Sequence, residues 1–288
     1  MHEFDSLSIS WEFVEYKKAG VVFLLAPYEA TVSWGKGTSK GPKAVMDAFL
    51  NLELFDEELV SSPFEVGISL LELELEGMKP LEAVRMVRDK TAGVLGDGKF
   101  PVLVGGEHSL SVGMVEAFIE RYSDLSILQL DAHADLRDEF RGEKYSHACV
   151  MSRVREMADA VQVGVRSLSR EENELIKKRG YTLLWARDIF DNKKWFREAI
   201  DALEDNVYLT IDLDVFDPSI MPSVGTPEPG GLDWYLLLDF LKLLCRERNV
   251  VGFDVVEFSP IKDFSSPDYL AARLLYKLVG YVFADDLG

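Results

Sequence analysis

Eight short apolar runs, near 20–27, 64–71, 101–105, 125–131, 160–165, 181–186, 207–213 and 250–256, constrain this chain more than anything else in it. They are rich in Val, Ile, Leu and Phe and continuously hydrophobic, as a strand buried on both faces requires. Most are separated by stretches of helical period: Pro80 to Leu95, Ser109 to Tyr122, Glu171 to Arg179, Trp195 to Leu203 and Trp234 to Arg248. Such alternation predicts a mainly parallel sheet covered by helices. Periodicity suits a closed barrel as well as an open, doubly wound sheet. In both, ligands gather at the carboxyl ends of the strands, so polar residues directly after an apolar run are the ones to examine. The chain shows no internal repeat or low-complexity linker and is read as one domain, 1–288.

Fifty acidic side chains against 31 basic ones give a net charge of −19. That sign repels phosphate backbones and anionic lipid, so neither nucleic acid nor a membrane is an expected partner. It concentrates cations if the acids are focused in a cleft; spread over the surface, it only keeps the protein soluble. Cys149 and Cys245, outside any CxxC pair, suit a reducing, cytoplasmic location. The apolar run Gly20 to Pro27 is far short of the about 20 residues that span a bilayer. Glutamine occurs only at Gln129 and Gln162, and Asn at five positions, a depletion found in heat-adapted proteins.

Four strand ends carry chemistry. After Pro101 to Val104 comes Gly105-Gly106-Glu107-His108-Ser109, where two glycines allow a sharp turn, His108 reaches the sheet edge and Ser109 is placed to cap the next helix. A plain turn with a capping cluster would use the same letters. Leu125 to Leu130 runs into Asp131-Ala132-His133-Ala134-Asp135, and in extended backbone the two carboxylates and the imidazole share one face. Val207 to Ile211 continues into Asp212-Leu213-Asp214-Val215-Phe216-Asp217-Pro218, again with acids at i and i+2. Asp217 is out of phase and suits backbone amides where the strand breaks. The glycine-rich stretch from Gly225 to Gly231 is long enough to wall a site. The last strand ends in Glu257-Phe258-Ser259-Pro260, where one carboxylate can hold a planar cation by paired hydrogen bonds.

Asp131, Asp135, Asp212 and Asp214 thus meet at one edge with His108 and His133. Four carboxylates so close do not all stay ionised without cations. Two divalent ions balance them, and oxygen-rich ligation favours Mn²⁺ or a similarly hard ion over thiolate-type zinc. His2, beside the initiator Met, has no place in this cluster.

These three segments, in this order, resemble the metal signatures of the ureohydrolases, the arginases and agmatinases, and the likeness runs through most of the chain. The resemblance implies a three-layer α/β/α fold with an eight-stranded, mostly parallel sheet. It implies two Mn²⁺ per chain, one held by His108 and Asp135, the other by His133 and Asp214, with Asp131 and Asp212 bridging. Asp135 would also relay a proton to the departing amine, Glu257 would anchor the guanidinium, and His147, in Tyr145-Ser146-His147-Ala148, would shuttle protons with solvent. Many relatives have Gly where this chain has Ala148, and packing or capping is the alternative role for that histidine. Members usually form trimers or hexamers, so a homo-oligomer is expected.

The guanidine is set by the loops that meet the substrate's tail. Where arginases place an Asn for the α-carboxylate this chain has Arg137, and where they place acids for the α-amine it has Ser167 and Ser169. Asp135-Leu136-Arg137-Asp138-Glu139-Phe140 resembles agmatinases more, with Asp138 or Glu139 meeting a distal ammonium. Agmatine, cleaved to putrescine and urea, is the first expectation. Aminopropylagmatine, guanidinobutyrate (through Arg137), arginine and formiminoglutamate are the alternatives. A non-catalytic metal-binding scaffold and a one-metal deacetylase of related fold are rival classes, and the metal content per chain separates the deacetylase.

Overall fold

In the computed structural model, which describes residues 13–190 and 192–287, each apolar run forms a strand. These are β1 (Val21–Ala26), β2 (Ile68–Glu72), β3 (Phe100–Gly105), β4 (Leu125–Leu130), β5 (Asp159–Val165), β6 (Thr182–Trp185), β7 (Asn206–Asp212) and β8 (Asn249–Val256). Their order in the sheet is β2-β1-β3-β8-β7-β4-β5-β6, and every pairing is parallel. With β2 and β6 as separate edges the sheet is open, which excludes the barrel. His2 lies outside the described residues.

Continuous hydrophobicity has its expected cause. Along β1, Val21 and Phe23 enter one core, while Val22 and Leu24 enter another on the opposite face. The first core is closed by α1 (Gly41–Phe49), α6 (Ala186–Ile189), α7 (Lys194–Asp201), α8 (Trp234–Glu247) and α9 (Ser266–Val282). The second is closed by α2 (Pro80–Gly96), α3 (Ser111–Ile119), α4 (Val150–Val154) and α5 (Arg170–Arg179). Helix starts follow local chemistry. Asp233 accepts the Leu236 N–H at the head of α8, and Ser169 with Glu172 forms a reciprocal capping box at the head of α5.

Four helices are not evident in the sequence: α1, α4, α6 and α9. The longest, α9, is buried nearly all round from Ala271 to Tyr281, which removes the polar face on which a 3.6-residue period depends. Lys277 is buried there, its Nζ 2.9 Å from Asp56 and 3.2 Å from Glu58.

Sheet order places the site. The chain passes from β3 to β4, but β8 and β7 lie between them in the sheet. The sheet therefore grows in opposite directions on either side of this point, the kind of crevice where ligands bind in open α/β sheets. The carboxyl ends of β3, β8, β7 and β4, with the polar tails that follow them, lie side by side.

The join between β8 and α3 is tight. A Cβ built on Gly252 would meet the Phe118 ring at 2.2 Å, and that ring is itself held 5.0 Å from the Tyr208 ring. Gly252→Ala is expected to destabilise the fold by about 1–3 kcal/mol through overpacking. Urea unfolding checks this, and an unchanged midpoint would show that the ring has room to move.

Candidate metal centre and active site

The polar tails are positioned by backbone features that alternation alone does not describe. The Gly105-Gly106 turn passes so close to Tyr28 that a Cβ on Gly106 would meet its carbonyl oxygen at 2.1 Å. His108 then opens a 3₁₀ turn, His108–Leu110. Ser109 does not cap α3, contrary to expectation; its hydroxyl donates to Glu107, because the intervening turn carries it away from the helix start. Asp135 and Glu257 have φ of 49° and 64°, the left-handed region that costs a side-chain-bearing residue about 1–3 kcal/mol. The expected extended alternation therefore fails at Asp135, where the chain turns to bring the carboxylate back toward His108. Asp212 and Asp214 are not on a continuing strand either. Asp212 Oδ1 accepts the Asp214 N–H and caps a 3₁₀ turn, Leu213–Val215. Asp217 binds the amides of Ser219, Gly230 and Gly231, the turn role expected of it.

Two overlapping ligand groups result, His108 with Asp131 and Asp212, and Asp131 with His133 and Asp214, the donor atoms in each within 4.8 Å of one another. Asp131 belongs to both. Nδ1 of His108 lies 3.2, 3.4 and 3.5 Å from carboxylate oxygens of Asp131, Asp135 and Asp212, yet it is buried without a hydrogen bond of good geometry. These carboxylate oxygens converge on His108 Nδ1 without bonding it, an arrangement that could hold a metal ion. His133 Nδ1 lies 2.8 Å from Asp214 Oδ2. Six side chains offering oxygen and imidazole nitrogen, with no thiolate, fit hard divalent ions.

The ligands are held from behind. His108 Nε2 lies 2.9 Å from Thr210 Oγ1, which donates to Asp254, and Asp254 also accepts the Tyr208 hydroxyl. This line leaves Nδ1 of His108 for the centre, as oriented metal-binding imidazoles require. Asp131 Oδ2 accepts Gln129 Nε2 at 2.6 Å, Gln129 Oε1 accepts Gln162 Nε2 at 2.5 Å, and Gln162 Oε1 accepts the Arg155 guanidinium. Arg155 can only donate, so it sets the orientation of both amides. Arg166 donates to the carbonyls of Gly164, Asp214, Phe216 and Glu228, tying the loop after β7 to β5 and to the glycine-rich loop.

A cavity of about 230 Å³ opens onto the centre, lined by His108, His133, Asp135, His147, Asp212 and Glu257, and further by Trp34, Arg137, Phe140, Glu172 and Thr226. Glu257 Oε1 accepts the His108 N–H at 2.7 Å; its other oxygen bonds no other described residue. His147 is edge-on to Phe140 at 5.7 Å and hydrogen-bonded to Thr31. The expected role for Asp138 and Glu139 needs correcting. Neither lines the cavity, and Asp138 is turned to Arg153 at 2.5 Å and Lys144 at 3.8 Å, so its charge is already countered. The acid on the cavity wall beside Arg137 is Glu172, 3.9 Å away, buried and already accepting the N–H groups of Leu136 and Ser169. Ser169 is spent as a helix cap, while Ser167 does line the cavity. Glu107, Thr31, Gln129, Thr210 and Asp254 have no role in the sequence reading; a polar residue inside a buried run is the signal that marks Gln129, Thr210 and Asp254.

The arginase family model matches residues 19–280. This chain belongs to the arginase family. It is 42% identical to an N(1)-aminopropylagmatine ureohydrolase of Synechocystis, over 92% of this chain and 90% of that one. An agmatinase of Pyrococcus horikoshii is 32% identical over 97% and 98%. The crystal structure of an agmatine ureohydrolase of Thermoplasma volcanium superposes with a TM-score of 0.87 at 32% identity, covering 94% of this chain and 92% of that one. The fold is thus the arginase-like one expected, with every strand pairing parallel. Among the described residues no helix is long and apolar enough to cross a membrane.

Arginase-family enzymes are binuclear metal enzymes, and the charges at this centre call for cations. Burial opposes a charge on His133, yet Asp214 and Asp131 push it up to about 12. Burial, reinforced by Asp131, raises Asp135 to about 7; burial and Glu107 raise Glu257 to about 8. Asp212 is also pushed up, by burial and by Asp214 and Asp131. Burial opposes ionisation of Asp131 as well, but the neighbouring imidazoles of His108 and His133 hold it below its usual range.

The metal-free protein therefore has a defined pH dependence. Unfolded Asp and Glu titrate at about 3.9 and 4.3, so folding raises the pKa of Asp135 and Glu257. Their contribution to stability is full below about pH 4 and is lost as the pH rises through about 7 and about 8. The melting temperature of the chelated protein is expected to fall from pH 5 to pH 9, and added Mn²⁺ to abolish the fall. A chelated protein with a flat or rising profile contradicts this.

Proposed function

We propose that this chain is a manganese-dependent ureohydrolase of an amine-tailed guanidine, with agmatine, cleaved to putrescine and urea, as the simplest substrate. The observation that carries the reading is that two ligand groups sharing Asp131 open, together with Glu257, into one cavity. His108, Asp131, Asp135 and Asp212 would hold one ion and His133, Asp131, Asp212 and Asp214 the other. When bound, such a pair supplies the Lewis acidity that brings water into its nucleophilic form near neutral pH. Oxygen-rich ligation supports Mn²⁺. A homo-oligomer, trimer or hexamer, in the cytoplasm belongs to the same proposal, and light scattering tests its oligomeric part.

The chain's own residues supply the rest. Glu257, fixed by the His108 amide, has a carboxylate oxygen left for the guanidinium N–H groups, which orients the trigonal carbon toward the ligand cluster. Asp135, at the cavity wall, takes up the proton released on attack and returns it to the leaving amine. His147 exchanges protons with solvent. Burial holds it below the ordinary imidazole range, so its neutral, proton-accepting form is available at neutral pH.

The tail distinguishes substrates. Among the described residues Arg137 is the only Lys or Arg on the cavity wall, and Glu172 lies 3.9 Å from it. An arginine head group would bring a carboxylate whose one cationic partner on this wall, Arg137, already faces Glu172, and an unpaired buried charge costs roughly several kcal/mol. A second reading, N1-aminopropylagmatine, is supported by the name of the 42%-identical relative and by the exposed Trp34 at the mouth, whose ring face suits a distal ammonium.

Urea release by the manganese-loaded protein from a panel of guanidines tests the reading. For agmatine, kcat/KM is expected to exceed that for arginine by at least about 10²-fold, and a still higher value for aminopropylagmatine supports the longer substrate. Comparable turnover of arginine contradicts the tail assignment. Asp131→Ala or Asp212→Ala is expected to abolish hydrolysis and lower bound manganese together, measured by elemental analysis; full activity with two ions bound would exclude the ligand assignment. Arg137→Ala is expected to impair guanidinobutyrate far more than agmatine.

A further inference from the structure

We propose that Thr31, clamped by Glu107, fixes the ring tautomer and orientation of His147, which makes Thr31 and Glu107 positioning residues for proton transfer. The inference rests on the shuttle role of His147 given above. Thr31 lies in the loop after β1, distant in sequence from both partners, and Glu107 is fully buried.

The donors and acceptors can be counted completely. Glu107 Oε2 accepts the N–H groups of Ala30 at 2.8 Å and Thr31 at 2.6 Å, and Oε1 accepts the hydroxyls of Thr31 at 2.5 Å and Ser109 at 2.8 Å. Four donors on two oxygens make Glu107 a pure acceptor. The single hydrogen of the Thr31 hydroxyl is therefore spent on Glu107, and its oxygen has only lone pairs left. These face His147: the backbone N–H at 3.1 Å and Nδ1 at 3.0 Å. An oxygen that can only accept requires Nδ1 to carry the ring proton, and the longer contact of Nδ1 to Ser146 Oγ, 3.3 Å, is consistent with a second acceptor. In the neutral ring Nε2 is then the basic nitrogen. Phe140, edge-on to the ring, limits its rotation.

A shuttle needs this tautomer because the nitrogen that gains and loses the proton must be the one not already bonded to the scaffold. Glu107 takes no proton in this account; it acts through the threonine, as a buried carboxylate orients an imidazole in other hydrolases. Because Glu107 adjoins His108, the informative substitution is at Thr31.

The test is steady-state urea release and manganese content of the full-length, manganese-loaded protein. Thr31→Val keeps the shape and removes the hydroxyl. It is expected to lower kcat at least about tenfold, and by no more than the about 10²–10⁴-fold that a general acid–base group contributes, with KM and bound manganese unchanged. Thr31→Ser is expected to recover most of the rate. In a His147→Ala background, Thr31→Val is expected to cost nothing further, since a residue acting only through His147 has no effect once the ring is gone. Thr31→Ala repeats the test should the valine variant not fold. Full kcat in Thr31→Val, a parallel loss of manganese, or a loss that adds in full to that of His147→Ala would each overturn the inference. The two levels are distinguishable: full kcat in His147→Ala removes the shuttle reading itself, whereas a slow His147→Ala with additive Thr31→Val removes only the role of Thr31.

Discussion

Repulsion among Asp131, Asp135, Asp212 and Asp214, buried together at one edge of the sheet, is the constraint on which the rest of the structure depends. Two imidazoles do not offset it, and burial removes the water that would screen it. The strain is relieved by protons or by cations. Protons neutralise the acids and leave nothing to do chemistry with, whereas cations keep them charged and bring a Lewis acid to the cavity. The same choice reaches Glu257, whose carboxylate titrates far above its ordinary range in the metal-free protein.

The scaffold keeps the acids together because it cannot easily move. Strands buried on both faces hold β3, β8, β7 and β4 in register, and the sheet order brings their carboxyl ends side by side. Polar residues within these strands join lines of hydrogen bonds leading to the cluster: Arg155 to Gln162 to Gln129 to Asp131, and Tyr208 to Asp254 to Thr210 to His108. Left-handed backbone at Asp135 and Glu257 is the local cost of aiming side chains that a regular strand would misdirect.

Much of this was legible in the sequence. The eight strands follow from continuous hydrophobicity, because burial on both faces leaves no polar alternation to confuse them. The cluster of acids and histidines follows from their placement directly after those runs. What was not legible depends on contacts distant in sequence. α9 is buried nearly all round and so has no periodic polar face. Asp138 looks free to meet an ammonium until Arg153, fifteen positions on, is seen to hold it. Gln129 and Gln162, which read in sequence only as survivors of a depletion, become adjacent when β4 pairs with β5. Thr31 gains its meaning only when the loop after β1 is brought against Glu107 and His147.

The most direct test of the central claim is a crystal structure of the manganese-loaded protein with anomalous scattering recorded at the manganese edge. Two peaks per chain are expected, one among His108, Asp131, Asp135 and Asp212 and the other among Asp131, His133, Asp212 and Asp214, with Asp131 reaching both. A single peak, or peaks away from these carboxylates, would contradict the account.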